Sequence, residues 1–421
     1  MLNRLKRLWW TLKLALARLK YGNPTKKMKV VGVTGTNGKT TTVTLLYQIA
    51  TKLGHKAGLV STVEILIAGK EVKENSKNPS PGTTRDSVYM LGLFSRMLRA
   101  GCEYVFMEVS SHALDQNRVA GINFTGGIFT NLTHDHLDYH GNLENYFLAK
   151  KKFFDKLPAN AFALSNADDT HGRVILEHTK GNKHFYGLEN ATDVEFYGKI
   201  LTIDFSGLEL SFNAEIIKSK LLGKFNAYNL LTAWSACKLL GFDMTQVNKI
   251  LENVKPPRGR FEHFKTPSDA LVIVDYAHTA DALEKVITAS REILAPGGNP
   301  PKAGKLIVLA GAGGDRDPLK RPKMGQAVAL LADVPIFTSD NPRGEVPEKI
   351  IEDMQTELTE EESKKVRIVV GRREAIAEAL RLARRGDIIL CAGKGHEDYQ
   401  EIKGVRHHFD DREEFEKLFG K

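Results

Sequence analysis

The chain has 421 residues, 42% hydrophobic and 26% charged, a length beyond one hydrophobic core that leaves room for two or three domains and a large cleft. Its formal net charge of +9 points to anionic partners, such as phosphate esters, nucleic acid or an acidic membrane surface, without choosing among them. Three widely spaced cysteines, Cys102, Cys237 and Cys391, argue against a disulfide framework and fit a reducing cytosol, where burial as small hydrophobes is their plain role.

Residues 1–20, "MLNRLKRLWWTLKLALARLK", contain no acid. Leu5, Leu8, Trp9, Leu12, Leu16 and Leu19 fall on one helical face, while Lys13 and Arg18 interrupt any run long enough for a signal peptide or a membrane span. The segment reads as a basic amphipathic helix with two roles open: packing on the body of the protein, or lying on an anionic membrane.

Next, "KMKVVGVTGTNGKTTTVTLLYQIATKLG" reads as a buried strand, a glycine-rich turn and a helix closing at Gly54. Gly35, Thr36, Asn37, Gly38, Lys39 and Thr40, with Thr41 after them, lie between strand and helix, the setting a phosphate cradle needs. Lys39 would neutralise β- and γ-phosphate charge and the Thr40 hydroxyl would ligate magnesium. The strict G-x-x-x-x-G-K-S/T spacing is not met, because Val33 stands where the first glycine belongs.

The segments "YVFMEVSS", "GGIFTNLT" and "AFALSNADD" read as parallel strands of a doubly wound sheet, whose sites gather at carboxyl ends. Glu108 sits at such an end, an oxygen ligand for a hard cation. "THDHLDYHG" packs His134, Asp135, His136, Asp138 and His140 together. Either it is a zinc-hydrolase cluster, although Tyr139 breaks the H-x-H-x-D-H spacing by one residue, or one histidine ligates magnesium near a triphosphate.

A Pro/Gly cluster, "NVKPPRGRFEHF" from Asn253 to Phe264, marks a hinge near Pro257. A second α/β series follows in "ALVIVDYAHT", "KLIVLAGAGGDRD", "VPIFTSDNPR", "VRIVVG" and "DIILCAGKGHE". The expected architecture is a basic segment at 1–28, a central P-loop doubly wound ATPase domain at 29–256 and a C-terminal Rossmann-like α/β domain at 257–421.

With "MEVSSHALDQNRVAG", "FTNLTHDHLDYHG", "LLGKFNAYNLLTA", "DYAHTADAL", "GAGGDRD", "KRPKMG", "DNPR" and "AGKGHEDYQ", the chain from Val30 onward resembles the Mur ligase family, in the branch that uses meso-diaminopimelate. The resemblance implies an ATP-dependent amide ligase. It would join diaminopimelate to the D-glutamyl carboxylate of a (UDP-)N-acetylmuramoyl-L-Ala-D-Glu through an acyl phosphate, in peptidoglycan precursor synthesis. It implies that Lys39 and Thr40 serve ATP and Mg2+, with Glu108, His136 and a carbamylated Lys150 as further metal ligands. Without carbamylation Lys150 would be an ordinary surface lysine.

By the same resemblance Asn226, Asn229, Arg260 and Asp275 embrace the nucleotide, while Thr83, Thr84, Ser110, Gln116 and Arg118 contact the muramoyl-dipeptide. Arg316, Asp340, Asn341, Pro342, Arg343, Gly393 and Glu397 hold the distal end of diaminopimelate, with Arg343 meeting its carboxylate and Glu397 its ammonium. Facing lysine, a buried Arg343 would be left unpaired at a cost on the order of several kcal/mol. Fewer than 30 residues precede "KVVGVTG", too few for the family's N-terminal UDP-binding domain, so a non-UDP or lipid-linked muramoyl peptide is the alternative substrate. The expected partners are these small molecules, with no nucleic acid, membrane contact limited to residues 1–20, and a monomer in the cytoplasm.

Overall fold

A computed structural model describes residues 16–72, 84–133, 135–189, 193–294 and 304–420. Most of the basic segment, Thr83, His134 and the side chain of Asp138 lie outside the described residues. Where the N-terminal helix is described, Ala17 is buried, while Leu16 and Leu19 are 56% and 82% exposed. In this described part Ala17 and Tyr21, whose ring covers Gly92, face inward. Among the described residues no helix is long and apolar enough to cross a membrane.

The chain divides into two compact units. The first runs to Leu201 and takes in Glu209–Lys220 and Phe225–Lys255; the second is Thr202–Leu208, Leu221–Lys224 and Pro256–Lys421.

In the first unit an 11-stranded sheet is centred on Lys29–Thr34, buried at every position after Lys29. Parallel strands Tyr104–Glu108 and Gly126–Phe129 flank it, so both faces are covered and the run can be apolar throughout. Phe162–Asn166 and Asn182–Gly187 extend the parallel part. Beyond them Phe196–Asp204, Gly207–Phe212 and Glu215–Ser219 add an edge that the sequence reading did not anticipate. The helix Leu143–Asp155 lies close on the sheet at Gly32, where a Cβ would come within 2.8 Å of the rings of Phe124 and Phe153.

The second unit carries a six-stranded sheet in the order Glu262–Lys265, Leu271–Asp275, Ile388–Ala392, Leu306–Ala310, Val334–Phe337 and Arg367–Ile368. Only the Glu262–Lys265 edge is antiparallel. Leu271 and Ile273 enter one core cluster, and Val272 and Val274 the cluster on the opposite face. That alternation between two buried faces makes "LVIV" uniformly apolar. The loops holding Asp275, Gly393, Gly311 and Asp340 all leave from carboxyl ends of neighbouring strands, the edge where such sheets build sites.

Candidate active site

The glycine-rich loop expected to cradle phosphate follows strand Lys29–Thr34 and opens the helix Lys39–Lys52. Gly35 and Gly38 have φ of 152° and 83°; a Cβ at 35 would lie 1.9 Å from Thr130 Oγ1, and one at 38 would lie 2.5 Å from Asn229 Oδ1. Side chains hold the loop open: Asn37 N–H donates to Asn131 Oδ1 at 2.9 Å, and Thr130 Oγ1 donates to Asn37 O at 2.7 Å. Lys39 Nζ donates to Gly35 O at 2.8 Å and Thr36 O at 2.6 Å, so its ammonium lies over the loop.

Register sets Val33 beside Glu108, which carries the carboxylate to the first turn of the helix. There Thr40 Oγ1 donates to Glu108 Oε1 at 2.8 Å, with both residues buried. Thr62 steadies the carboxylate with its N–H at 2.8 Å and its hydroxyl at 3.1 Å. A hydroxyl and a carboxylate oxygen brought together beside a phosphate cradle suit a hard divalent cation.

Lys150, expected as a carbamylated ligand or otherwise an ordinary surface lysine, is not at the surface. It is 1% exposed, donates to Gly35 O at 2.9 Å and lies 4.3 Å from the centre of the Tyr146 ring. Burial first, and then the charge of Lys39, push its amine well below the usual lysine range, because a second cation in a dry site disfavours charging. Tyr146 links its helix to the loop, with its phenol 3.2 Å from Thr36 Oγ1. His136 has φ of 53° and a side chain 46% exposed, 3.5 Å from Asp135. Partial burial first, opposed by Asp135 and joined by His112, Lys39 and Lys150, holds it below the usual imidazole value, which favours the neutral form that ligates metals. Among the described residues no group of three or more His, Cys, Asp or Glu side chains could hold a metal; His134 and the side chain of Asp138, two members of the zinc-hydrolase alternative, lie outside them.

Thr84, Ser110, Gln116 and Arg118 are brought together in one network. Arg118 Nη1 donates to Thr84 O at 2.9 Å and its Nε to Gln116 Oε1 at 2.8 Å, and Ser110 N–H donates to Thr84 Oγ1 at 3.2 Å. The Thr84 hydroxyl is buried and donates to Glu108 O at 3.0 Å, so it braces the strand end. Tyr139, which the sequence did not single out, joins through Gln116 Nε2 at 3.0 Å. Asn226 and Asn229 are buried on helix Lys224–Leu240, where Asn229 Nδ2 donates to Asn226 Oδ1 at 2.9 Å.

In the second unit Asp275 accepts from the N–H groups of Phe261 and Ala277 at 2.7 and 2.8 Å, and Arg260 lies over the Tyr276 ring at 4.7 Å. Asp340, Asn341 and Pro342 are buried, Arg343 is half-buried and Arg316 is exposed. Gly393, at φ of 113°, leaves room for Asp340, since a Cβ there would reach 2.6 Å from Asp340 Oδ2. Asn341 Nδ2 donates to Glu397 Oε2 at 2.8 Å.

Arg343 corrects the expectation of a bare guanidinium. Its Nη1 donates to Gly314 O at 2.7 Å and its Nε lies 3.9 Å from Glu401 Oε2. Facing lysine it would keep these partners, so the cost of an unpaired buried charge does not apply. Glu401 belongs to a hairpin, Tyr399–Ile402 with Val405–His408, that grips the turn: Gln400 Nε2 donates to Asp340 O at 2.7 Å and Arg343 N–H to Glu401 O at 2.9 Å. Behind the turn, Arg321 binds Glu345 at 2.7 Å and Asp353 at 2.8 Å. These braces come from distant segments, and only "KRPKMG" and "AGKGHEDYQ" had drawn notice. Cys102, Cys237 and Cys391 are buried and unpaired, in the role expected.

Comparison with known proteins matches this layout. The model of the Mur ligase middle domain matches residues 33–237, and that of the Mur ligase glutamate ligase domain matches residues 259–395. The chain is 50% identical over 399 residues to a UDP-N-acetylmuramoyl-L-alanyl-D-glutamate–2,6-diaminopimelate ligase of Parabacteroides distasonis, covering 95% of this chain and 79% of that protein. A solved structure of a ligase of that name superposes with a TM-score of 0.67 at 32% identity, covering 93% of this chain and 78% of the other. A Mycobacterium tuberculosis folylpolyglutamate synthase shares the fold, with a TM-score of 0.69 at 16% identity over 97% of this chain and 95% of its own.

Proposed function

The chain belongs to the Mur ligase family, and from that premise we propose that it joins meso-diaminopimelate to the D-glutamyl carboxylate of UDP-N-acetylmuramoyl-L-Ala-D-Glu at the expense of ATP. The observation that carries the choice of amino acid is the charge pattern at the strand ends of the second unit. Asp340 and Glu397 supply acceptors and Arg343 a guanidinium, complementary to a ligand whose far end bears both an ammonium and a carboxylate.

In this reading an oxygen of the glutamyl carboxylate attacks the γ-phosphorus of ATP, the bond to the ADP oxygen breaks, and an acyl phosphate forms. The diaminopimelate amine then attacks the acyl carbon, phosphate leaves, and one proton is released. Lys39 and the loop glycines receive the phosphates and offset repulsion between two anions, which is positioning and electrostatic work. Thr40, Glu108 and His136 would hold Mg2+, which when bound supplies charge neutralisation at the phosphates. The Lys150 amine, held well below the usual lysine range, suits carbamylation: once deprotonated, its nitrogen attacks the carbon of CO2, loses a proton to solvent, and becomes a carboxylate-like ligand.

The test is to supply ATP, Mg2+, muramoyl dipeptide and diaminopimelate, and to follow phosphate release with the mass of the product. Parallel arms offer UDP-linked and UDP-free dipeptide. Phosphate release tied to formation of the tripeptide supports the reading; equal use of lysine, or release independent of any amino acid, overturns it.

A further inference from the structure

The proposed reaction gives no role to Lys394, yet its ammonium stands directly behind the turn assigned to diaminopimelate. The side chain is 0% exposed, and Glu397 Oε2 lies 3.5 Å from its Nζ. Nζ also donates to Asn341 Oδ1 at 3.3 Å and to the carbonyl of Tyr399. A buried ammonium persists only where acceptors surround it. Of the three here, two are side chains assigned to the substrate.

We propose that Lys394 is a positioning residue that sets the hydrogen-bonding polarity of the diaminopimelate pocket, an inference resting on the reading above. An ammonium can only donate. So can the backbone N–H of Glu401, which reaches the same Asn341 oxygen at 2.9 Å. Two obligate donors on one atom fix it as the amide oxygen and fill its two lone pairs. The amide nitrogen is turned the other way, giving one hydrogen to Glu397 Oε2 at 2.8 Å and keeping the other for a ligand. Asn341 therefore offers a donor alongside Arg343, suited to the distal carboxylate. Asp340 and Glu397 are left as the acceptors for the distal ammonium. Burial and Asp340 push the Glu397 carboxyl up, while Lys394 and Asn341 pull it back toward the charged form.

Lys394→Met keeps an unbranched stem and removes the ammonium, leaving Asn341 Oδ1 with the Glu401 N–H alone and Glu397 without its buried cation, so the pair is held less firmly. The expected result is a rise of about tenfold in KM for diaminopimelate, the scale of one charge-assisted hydrogen bond, with KM for ATP and for muramoyl dipeptide within about twofold of wild type. The preference for diaminopimelate over lysine falls with it. A rise in all three KM values together, as loose folding would give, overturns the proposal, and so does an unchanged diaminopimelate KM. Should Lys394→Met fail to give a cooperative thermal transition, Asn341→Asp decides: it puts an acceptor where the donor faced the ligand. A diaminopimelate-specific loss supports the proposal, and its absence overturns it. A wild-type protein that makes no tripeptide from diaminopimelate refutes the functional reading instead, so the two failures are distinguishable.

Discussion

Arg343→Ala removes the guanidinium assigned to the distal carboxylate, and with it the 2.7 Å bond to Gly314 O, but leaves the backbone bonds of the turn in place. The backbone bonds, Arg343 N–H to Glu401 O at 2.9 Å and Lys403 N–H to Arg343 O at 2.6 Å, do not involve the side chain. Arg343 already has φ of 50°, and alanine bears much the same steric cost there, so little strain is added. The side chain is 19% exposed and shares its charge with Glu401. An incoming carboxylate therefore gains one charge-assisted contact in a half-wet site, worth about 1.5–3 kcal/mol, or roughly 10- to 150-fold in KM. Steady-state phosphate release, with diaminopimelate varied at saturating ATP and dipeptide, should show that rise. KM for ATP should stay within about twofold, and weak use of lysine should be nearly unaffected, since lysine has no distal carboxylate to lose. Equal rises for ATP and diaminopimelate, or a matching loss with lysine, would falsify the assignment of Arg343.

Incubating the protein with isotopically labelled bicarbonate should give a carbamate carbonyl resonance that is absent in Lys150→Arg; a wild-type spectrum without it removes the modification. Arg321, then the N–H of Asp315, hold the Glu345 carboxyl below its ordinary 4.5. Its folded pKa being the lower one, this stabilisation is complete above 4.5 and is lost as pH falls through the folded value. Wild type should thus melt above Glu345→Gln at neutral pH, with the two converging in acid; a gap that persists in acid would refute the pairing.

The strand–turn–helix at residues 29–52 was legible because its glycines, Lys39 and Thr40 are contiguous, and the parallel strands because their apolar runs end in polar residues. The braces were not, since Thr62 meets Glu108 across 46 positions and Thr130 meets Asn37 across 93. Nothing local in "STVE" or "FTNLT" says which loop they will reach. Lys150 was picked out by resemblance alone, and its burial was not foreseen. Yet Phe147, Lys150 and Phe154 recur at helical spacing and are all buried, a signal that could have placed it inward. Arg343 was read as bare because its partner Glu401 lies on a hairpin that turn chemistry at "DNPR" does not foretell.

Gly32 touches no phosphate, metal or amino acid, but its missing carbon governs clearance beneath the helix that delivers Lys150. A methyl there would press on the rings of Phe124 and Phe153, both 2.8 Å from it, so something must shift. If Phe153 gives way by lifting its helix, Lys150, three residues before it, withdraws from its 2.9 Å contact with Gly35 O. Reach toward the phosphate loop is therefore metered by a strand position on the far side of the ring, and Gly32→Ala could cost catalysis in a protein whose every reactive group is intact.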